Sequence, residues 1–141
     1  MDIKPATFDD LDLILKMTFN FLNQTSYAAH VDAEKLGNLV ASFLVNDPYK
    51  IILLCENKGM IAGVINPFIF GNELMATEVG WWVEPNERKN KVGQELLEAF
   101  ERWAKSMDCK MITMVSLDDK LGMFYEKIGY RLYERAYLKE I

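Results

Sequence analysis

The sequence contains few of the residues on which many enzyme signatures depend. Its 141 residues include one histidine, two cysteines and four prolines. With His30 as the only histidine, catalytic triads and metalloprotease helices are poor candidates. One histidine and two scattered cysteines do not give the usual ligand spacing of a metal site, so we expect no bound metal. Cys55 and Cys109 each lie in an apolar segment, and we expect buried, reduced thiols.

Long hydrophobic runs and excess positive charge are also missing. The longest aliphatic run, Ile51–Cys55, is far too short to cross a bilayer, and no basic region followed by an apolar core begins the chain. Lysine and arginine total 16 against 21 acidic residues, which gives a net charge of −5. This charge argues against binding of nucleic acid, which depends on neutralising its phosphates. We therefore expect a cytoplasmic protein that binds neither membrane nor nucleic acid.

No internal repeat, low-complexity tract or flexible linker interrupts the chain, which predicts a single domain over residues 1–141. The composition, 50% hydrophobic and 26% charged, is that of a globular protein. The sequence has no G-x-x-x-x-G-K-[ST] and no G-x-G-x-x-G after a strand. Both the P-loop and the dinucleotide-binding unit are therefore excluded.

Hydrophobic periodicity predicts the order β-α-α-β-β-β-α-β-α-β. The predicted strands are residues 2–6, 50–55, 60–70, 73–83, 110–115 and 131–139. The predicted helical stripes are residues 11–22, 36–44, 92–107 and 117–128. A hairpin meander that leads into one β-α-β crossover indicates an α/β fold with a mixed sheet and helices on its faces.

Local signals mark several boundaries of these elements. Thr7 with Asp10 resembles a capping box, and Asp32 can cap the second helix. Pro67 indicates that the third strand is an edge strand or is broken there, and Gly71-Asn72 predicts a tight hairpin turn. Gly129 fits the C-terminal cap of the last helix.

A basic loop between a strand and a helix is the most informative segment. The strand ends at Val83, and the loop carries Arg88, Lys89 and Lys91 before the helix begins. Free N–H groups and the positive end of the helix dipole suit a phosphate at such a place. The alternative is a solvated basic turn that caps an amphipathic helix.

The stretch Glu78–Leu97 resembles the acyl-CoA-binding motif of the GNAT superfamily of N-acetyltransferases. The family writes this motif V-x-P-x-x-R followed by R/Q-x-x-G-x-G/A, and the matching residues are Val83, Pro85, Arg88, Gly93 and Leu97. Lys91 occupies the first glycine position, which is a departure. The segment Phe124–Tyr130 resembles a second family motif, and the order of elements also matches, so the resemblance covers essentially the whole chain.

The resemblance implies a mostly antiparallel twisted sheet whose fourth and fifth strands splay apart, with Gly80 relaxing the fourth strand. It implies acetyl-CoA as co-substrate, with the pantetheine arm paired to the backbone near Trp81 and Val83. The pyrophosphate would bind N–H groups of the loop. The implied cofactor-binding residues are Trp81, Val83, Arg88, Lys89, Asn90, Lys91, Val92, Gly93, Gln94 and Ser116.

Lys91 allows two interpretations. If its position requires a positive φ, the lysine costs roughly 1 kcal/mol or more. If it requires helical dihedral angles, the lysine is harmless and its ammonium group helps to bind the phosphates. We expect helical dihedral angles.

The resemblance also implies the catalytic groups for attack of an amine on the thioester. Tyr125 matches the family's tyrosine, a general acid near the CoA sulfur. Glu78 matches a carboxylate that some members use as general base, and it alternates in the strand with Gly80 and Trp82. The alternative for Glu78 is an ordinary surface residue of a strand.

Three further residues remain open between a functional and a structural role. Ser116 either contacts the CoA arm or caps the last helix. His30 either belongs to the acceptor wall, expected between Phe21 and Val31, or is a surface histidine. Trp81 and Trp82 point to opposite faces of the strand, so that one ring is expected in the core.

The implied activity is transfer of an acetyl group from acetyl-CoA to a primary amine, on either a small molecule or a protein. The alternative is a non-catalytic CoA-binding or protein-interaction module on the same fold. A homodimer is a further possibility, because many members of the family dimerise.

Overall fold

Five strands form one mixed sheet in the computed structural model, which describes residues 2–141. Neighbouring strands follow the chain order, β1 to β5. The first four pair antiparallel and the last two pair parallel. The strands are β1 (Ile3–Pro5), β2 (Lys50–Cys55), β3 (Gly59–Pro67), β4 (Leu74–Val83) and β5 (Cys109–Thr113). The helices are α1 (Leu11–Leu22), α2 (Ala33–Leu44), α3 (Val92–Ser106) and α4 (Asp119–Lys127).

Side-chain caps begin two of the helices. Asp32 accepts a hydrogen bond from the Lys35 amide at 2.9 Å, as its position predicted. The predicted cap of α4 at Ser116 is wrong, because Asp118 is the N-cap and accepts from the Leu121 amide at 2.8 Å. Ser116 lies two residues earlier, and its hydroxyl donates to the Asp118 carbonyl.

Helices cover both faces of the sheet and enclose two apolar clusters. On one face α3 packs against the sheet around Phe100, Leu96 and Leu97, which are almost completely buried. On the other face α1 and α2 pack around Ile14, Met17 and other residues of a second cluster. Burial on both sides explains why β2 and β3 are nearly continuous hydrophobic runs.

A β-bulge in β4 decides which side chains face the site. Ala62 pairs with Gly80 and the next residue, Gly63, pairs with Glu78, so Val79 is the extra residue. A Cβ at Gly63 would meet the Phe100 ring, which places its partner Glu78 on the α3 face. Without the bulge, Glu78 would share a face with Gly80 and Trp82, as strict alternation predicted.

The two tryptophans lie on opposite faces, as the sequence predicted. Trp82 is buried in the cluster beneath α1 and α2, whereas Trp81 packs beside α3. Glu78 and Trp81 therefore lie on the same side of β4.

The parallel pair β4 and β5 separates where the bulge begins. The last paired residues are Thr77 and Thr113, whose hydroxyls are hydrogen-bonded at 3.1 Å. Beyond Thr77, β4 continues for six more residues to Val83 without a partner in β5. This end of pairing agrees with the expected separation of the fourth and fifth strands. We call the space beside the unpaired part of β4 the slot.

Two expected elements differ from the structure. The β3–β4 connection is longer than a two-residue turn, because β3 ends at Pro67 and the Phe68 amide donates to the Glu73 carbonyl at 2.8 Å. The predicted strand over residues 131–139 is wrong for the described chain. This segment is exposed and pairs with no strand of residues 2–141.

Within residues 2–141, no helix is long and apolar enough to cross a membrane. The same residues contain no group of three or more histidine, cysteine or acidic side chains that could hold a metal ion. Cys55 is buried and Cys109 half-buried, and burial raises the pKa of both thiols.

Candidate active site

Glu78 is a buried carboxylate at the point where β4 and β5 separate. Only 6% of its surface is exposed, and its Oε1 accepts a hydrogen bond from the Val115 amide at 3.2 Å. Burial raises its pKa from 4.5 to about 7, although the Val115 N–H opposes this shift by stabilising the anion. Glu78 is therefore not a surface residue, and near neutral pH it can both take up and release a proton.

Tyr125 reaches the same place from α4. Its side chain is buried and its hydroxyl donates to the Val115 carbonyl at 3.1 Å. Its ring stacks on Trp81 with 6.2 Å between ring centroids. Burial first, and then the charge of Glu78, raises the pKa of Tyr125 well above its usual range. The hydroxyl keeps its proton at physiological pH and remains able to donate it.

Val115 joins these two side chains, since its N–H binds Glu78 and its carbonyl binds Tyr125. It lies two residues after the end of β5, beyond the last pair that β5 forms with β4. No motif indicates this role, because Val115 acts through its backbone groups, which its residue type does not reveal.

Tyr130 supports Tyr125 from the other side. The two rings lie 5.6 Å apart, and the Tyr130 hydroxyl donates to Glu101 of α3 at 3.0 Å. The aromatic residues of the segment Phe124–Tyr130 were the sequence feature that could have indicated this contact. In the structure, the rings of Trp81, Tyr125 and Tyr130 form a row.

Lys91 begins α3 in the left-handed conformation, with φ 64° and ψ 8°. The expectation of helical dihedral angles was wrong. A side chain with a Cβ is strained in this region by roughly 1–2 kcal/mol, which explains why a glycine at this position would be favourable. The left-handed turn aims the chain into the first turn of α3, where amide groups have no partner within the helix.

Gly93 lies in that first turn against β4. A Cβ at Gly93 would be 3.4 Å from both the Trp81 ring and the Val83 side chain. The indole Nε1 of Trp81 is buried and has no hydrogen-bond partner within residues 2–141. The start of α3 and the open end of β4 are thus in close contact.

The backbone of Trp81 and Val83 faces the slot. The Glu84 amide donates to the Lys58 carbonyl at 2.8 Å, so these two opposite residues form a hydrogen-bonded pair. In antiparallel strands such pairs occur at every second residue. The intervening residues Trp81 and Val83 therefore direct their N–H and carbonyl groups away from β3. This is the edge that an extended ligand can join.

Arg88 is folded against the end of β4 rather than extended into solvent. Its Nε donates to the Val83 carbonyl at 3.0 Å, and its guanidinium carbon lies 4.8 Å from the centroid of the Trp82 ring. The Trp82 Nε1 is buried and unpaired within the described chain. Arg88 thus stabilises the loop. The carbonyl groups of Trp81 and Val83 both face the slot, and that of Val83 already accepts a hydrogen bond from Arg88.

The other predicted loop residues surround the start of α3. The Asn90 side-chain amide donates to Glu87 at 2.9 Å, and the Gln94 side-chain amide donates to Glu98 at 3.2 Å. Lys89 is exposed, whereas the Val92 side chain is completely buried, so that Val92 can offer a ligand only its backbone.

His30 contacts the end of the chain. Its Nε2 lies 3.2 Å from Oε1 of Glu140, and both side chains are mostly exposed. The acceptor wall expected between Phe21 and Val31 begins close to β4, since the Phe21 ring contacts the Trp82 ring edge-on at 6.4 Å.

A family comparison identifies the class of protein that this fold and site define. The model of the acetyltransferase (GNAT) family matches residues 10–130. The chain belongs to this family of acetyltransferases. No curated protein gives a significant match to the sequence.

Solved structures share the fold over nearly the whole chain. A structure described as a probable acetyltransferase has a TM-score of 0.76 at 19% identity, covering 100% of this chain and 98% of that one. The apo aminoglycoside antibiotic 6'-N-acetyltransferase AAC(6')-IG from Acinetobacter haemolyticus has a TM-score of 0.69 at 24% identity, covering 100% and 99%. A complex of AAC(6')-Iy with a CoA bisubstrate analogue has a TM-score of 0.73 at 17% identity, covering 99% and 97%. At these identities the likeness shows the fold alone.

Proposed function

We propose that the protein transfers an acetyl group from acetyl-CoA to a primary amine. The observation that carries this proposal is the placement of Glu78 and Tyr125 on the two polar groups of Val115, at the mouth of the slot. A buried carboxylate with a pKa of about 7 beside a protonated tyrosine supplies both proton transfers that aminolysis of a thioester requires. The family membership supports acetyl transfer in general.

The residues present fit acetyl-CoA as co-substrate. Trp81 offers its N–H and carbonyl, and Val83 its N–H, to an extended arm, whereas the Val83 carbonyl is bound by Arg88. The first turn of α3 offers amide groups to phosphates. Lys89 and Lys91 add positive charge beside those amides. When bound, acetyl-CoA supplies the activated thioester. The structural neighbour AAC(6')-Iy was solved in complex with a CoA bisubstrate analogue, which supports a CoA site in a protein of this fold.

The proposed chemistry uses each group once. The Glu78 carboxylate accepts a proton from the ammonium form of the acceptor, directly or through water. The neutral nitrogen then forms a bond to the acetyl carbonyl carbon as the carbon–sulfur bond breaks. Tyr125 exchanges its bond to the Val115 carbonyl for one to the sulfur and protonates it. The new amide nitrogen releases its second proton, which returns through water to the tyrosinate. Ser116 and the loop residues Arg88, Asn90, Val92, Gly93 and Gln94 complete the proposed CoA contacts.

The acceptor is proposed to be a cationic amine, on a small molecule or a protein. A net charge of −5 favours a cationic acceptor, and Glu78 can bind its ammonium group before deprotonation. Two structural neighbours are named as aminoglycoside acetyltransferases. Tyr27 and His30 are the proposed contacts of the acceptor wall, and a single catalytic domain and a cytoplasmic location remain parts of the proposal.

Thiol release from acetyl-CoA with a panel of small amines and lysine peptides tests this function. We expect turnover with at least one cationic amine and none without an acceptor. Binding of CoA without turnover of any amine would favour the alternative, a non-catalytic CoA-binding module. Failure to bind CoA at all would overturn both.

A further inference from the structure

Gly80 lies in the unpaired part of β4 and faces open space. A Cβ added to Gly80 would meet no atom within 4 Å outside Gly80 and its two chain neighbours, although the residue itself is buried. The glycines of β3 differ from it. A Cβ at Gly59 would lie 2.8 Å from the Trp82 carbonyl oxygen, and a Cβ at Gly63 would overlap with the Phe100 ring. Packing therefore requires glycine at both positions in β3 but not at Gly80.

The backbone does not require glycine at this position either. Of the glycines in residues 2–141, only Gly129 has a positive φ. Gly80 has the extended backbone of a strand, where a residue with a side chain fits and glycine is unfavourable. The extra residue of the bulge is Val79, which is not a glycine. What the glycine provides at Gly80 is therefore space.

This space lies on the face of the sheet that α1 and α2 cover. Gly80 pairs with Ala62, and residues directly opposite each other in antiparallel strands direct their side chains to the same face. Ala62 belongs to the cluster beneath α1 and α2, as does Trp82, two residues after Gly80. Phe21, near the end of α1, packs against the same cluster. The space at Gly80 therefore opens toward the segment in which the acceptor wall is proposed.

The opposite face of β4 is occupied beside the slot. On the α3 side the rings of Trp81 and Tyr125 stack, and the Phe124 ring lies 6.1 Å from that of Tyr125. Glu78 is buried on this side as well. A substrate can therefore reach the slot beside Trp81 from the side of Gly80, whereas side chains cover the side of Tyr125.

We propose that Gly80 is a specificity-determining residue, because its missing side chain leaves the room in which the carbon skeleton of the acceptor amine binds. This inference rests on the proposed function, since it assigns a place to the acceptor of that reaction. The rings of Phe21 and Trp82 lie on the same face, and aromatic rings suit a cationic amine. Gly80 directs its own N–H and carbonyl toward β3, and Trp81 directs its groups into the slot. A side chain at position 80 should therefore hinder the acceptor and leave the CoA contacts intact.

Two substitutions of increasing size test the proposal. Gly80→Ala adds a methyl group to the space, and Gly80→Val adds an isopropyl group. Steady-state kinetics with acetyl-CoA compares three acceptors, namely a linear diamine, a lysine peptide and neamine. For each acceptor that wild type acetylates, kcat/KM should fall roughly 10-fold in Gly80→Ala and roughly 100-fold in Gly80→Val. The Kd of acetyl-CoA, measured by calorimetry without acceptor, should stay within about threefold of wild type.

Gly37→Val is the matched control. It adds the same isopropyl group in α2, at a glycine whose Cβ would also meet nothing within 4 Å and whose φ is not positive. Its kcat/KM should equal that of wild type. Urea unfolding shows whether the fold is retained. Because the added atoms of Gly80→Val enter open space and valine suits a strand, its unfolding midpoint should equal or exceed that of wild type.

Three outcomes with an active wild type would overturn the inference and leave the proposed function intact. The first is a Gly80→Val variant with wild-type kcat/KM for every acceptor. The second is a lower unfolding midpoint of that variant, which would show that the space is already filled. The third is weaker binding of acetyl-CoA with an unchanged KM for the acceptor, which would assign the space to the acyl group. A wild type that acetylates none of the amines would overturn the proposed function and this inference together.

Discussion

Glu78 and Tyr125 bind opposite polar groups of a single residue, Val115. The carboxylate of Glu78 accepts the Val115 N–H at 3.2 Å, and the Tyr125 hydroxyl donates to the Val115 carbonyl at 3.1 Å. The three come from β4, α4 and the segment after β5. Val115 therefore holds a proton acceptor, Glu78, and a proton donor, Tyr125, close to each other through its own backbone groups.

Substitution of Tyr125 by phenylalanine tests the proton donor. The variant keeps the stack on Trp81 but has no proton to give to the sulfur, so kcat should fall roughly 10²–10⁴-fold. The Kd for CoA, measured by calorimetry, should change little. Tyr49→Phe is the control, because Tyr49 is a half-exposed tyrosine outside the candidate site. Equal kcat in wild type and Tyr125→Phe would remove Tyr125 from the acid role.

The pH profile tests Glu78 as proton acceptor. Because the pKa of Glu78 is raised to about 7, kcat/KM should rise as pH increases through about 7, where the carboxylate becomes charged. Glu78→Gln should lose this limb of the profile together with most of its activity. A variant with the same limb and near-normal activity would exclude Glu78 as the base.

The same variant makes a prediction about stability. A carboxyl whose pKa is raised on folding stabilises the fold below its unfolded pKa, and this contribution is lost as pH rises to about 7. Glu78→Gln should therefore be more stable than wild type at pH 8, by at most about 3 kcal/mol, and equal to it near pH 4. Urea unfolding measures the difference, with the exposed Glu34→Gln as control. If Glu78→Gln were less stable than wild type at pH 8, burial of the Glu78 charge would not be destabilising the fold.

Lys91→Gly tests the strained start of α3. Glycine adopts the left-handed conformation without strain, so the free energy of unfolding should rise by about 1 kcal/mol. Lys89→Gly removes the same charge at a position without positive φ, and it should not stabilise the protein. If Lys91 also contacts phosphate, CoA binding by Lys91→Gly should weaken at low salt, and the difference should narrow in about 0.5 M NaCl. Unchanged or lower stability of Lys91→Gly would contradict the strain.

Arg88→Lys tests the brace at the end of β4. Lysine lacks the planar group that lies over Trp82 and the Nε donor for Val83, so unfolding should require about 1 kcal/mol less. Denaturant unfolding followed by tryptophan fluorescence reports both stability and the environment of Trp82. Wild-type stability with an unchanged spectrum would show that Arg88 does not brace the loop.

Local patterns predicted most of the secondary structure, because each depends on residues close in sequence. The bounds of β2 match the prediction, and those of β4 and α3 lie close to it. The cap at Asp32 was also correct. Gly129, expected at the C-terminal cap of the last helix, directly follows the C-cap Ile128 and has a positive φ of 104°. The predicted strand over residues 131–139 is absent, because local sequence can indicate a strand, whereas a strand also needs a neighbouring strand to which it can hydrogen-bond.

The candidate site was predicted through its residue types and not through its geometry. Glu78 and Tyr125 could be named from motifs, but the extra residue at Val79 that turns Glu78 toward α3 left no clear signal in the sequence. Lys91 shows the same limit, since a left-handed φ is uncommon for residues other than glycine, asparagine and aspartate.

By itself, the sequence determined most of the elements, the family and the residue types proposed to carry the chemistry, because periodicity and motifs are local properties of the chain. Only the tertiary structure decided that Glu78 is buried, that Val115 joins it to Tyr125, and that Gly80 faces open space. Burial and backbone pairing depend on neighbours distant in sequence. The pKa of Glu78 and the open space at Gly80 therefore arise from the folded arrangement.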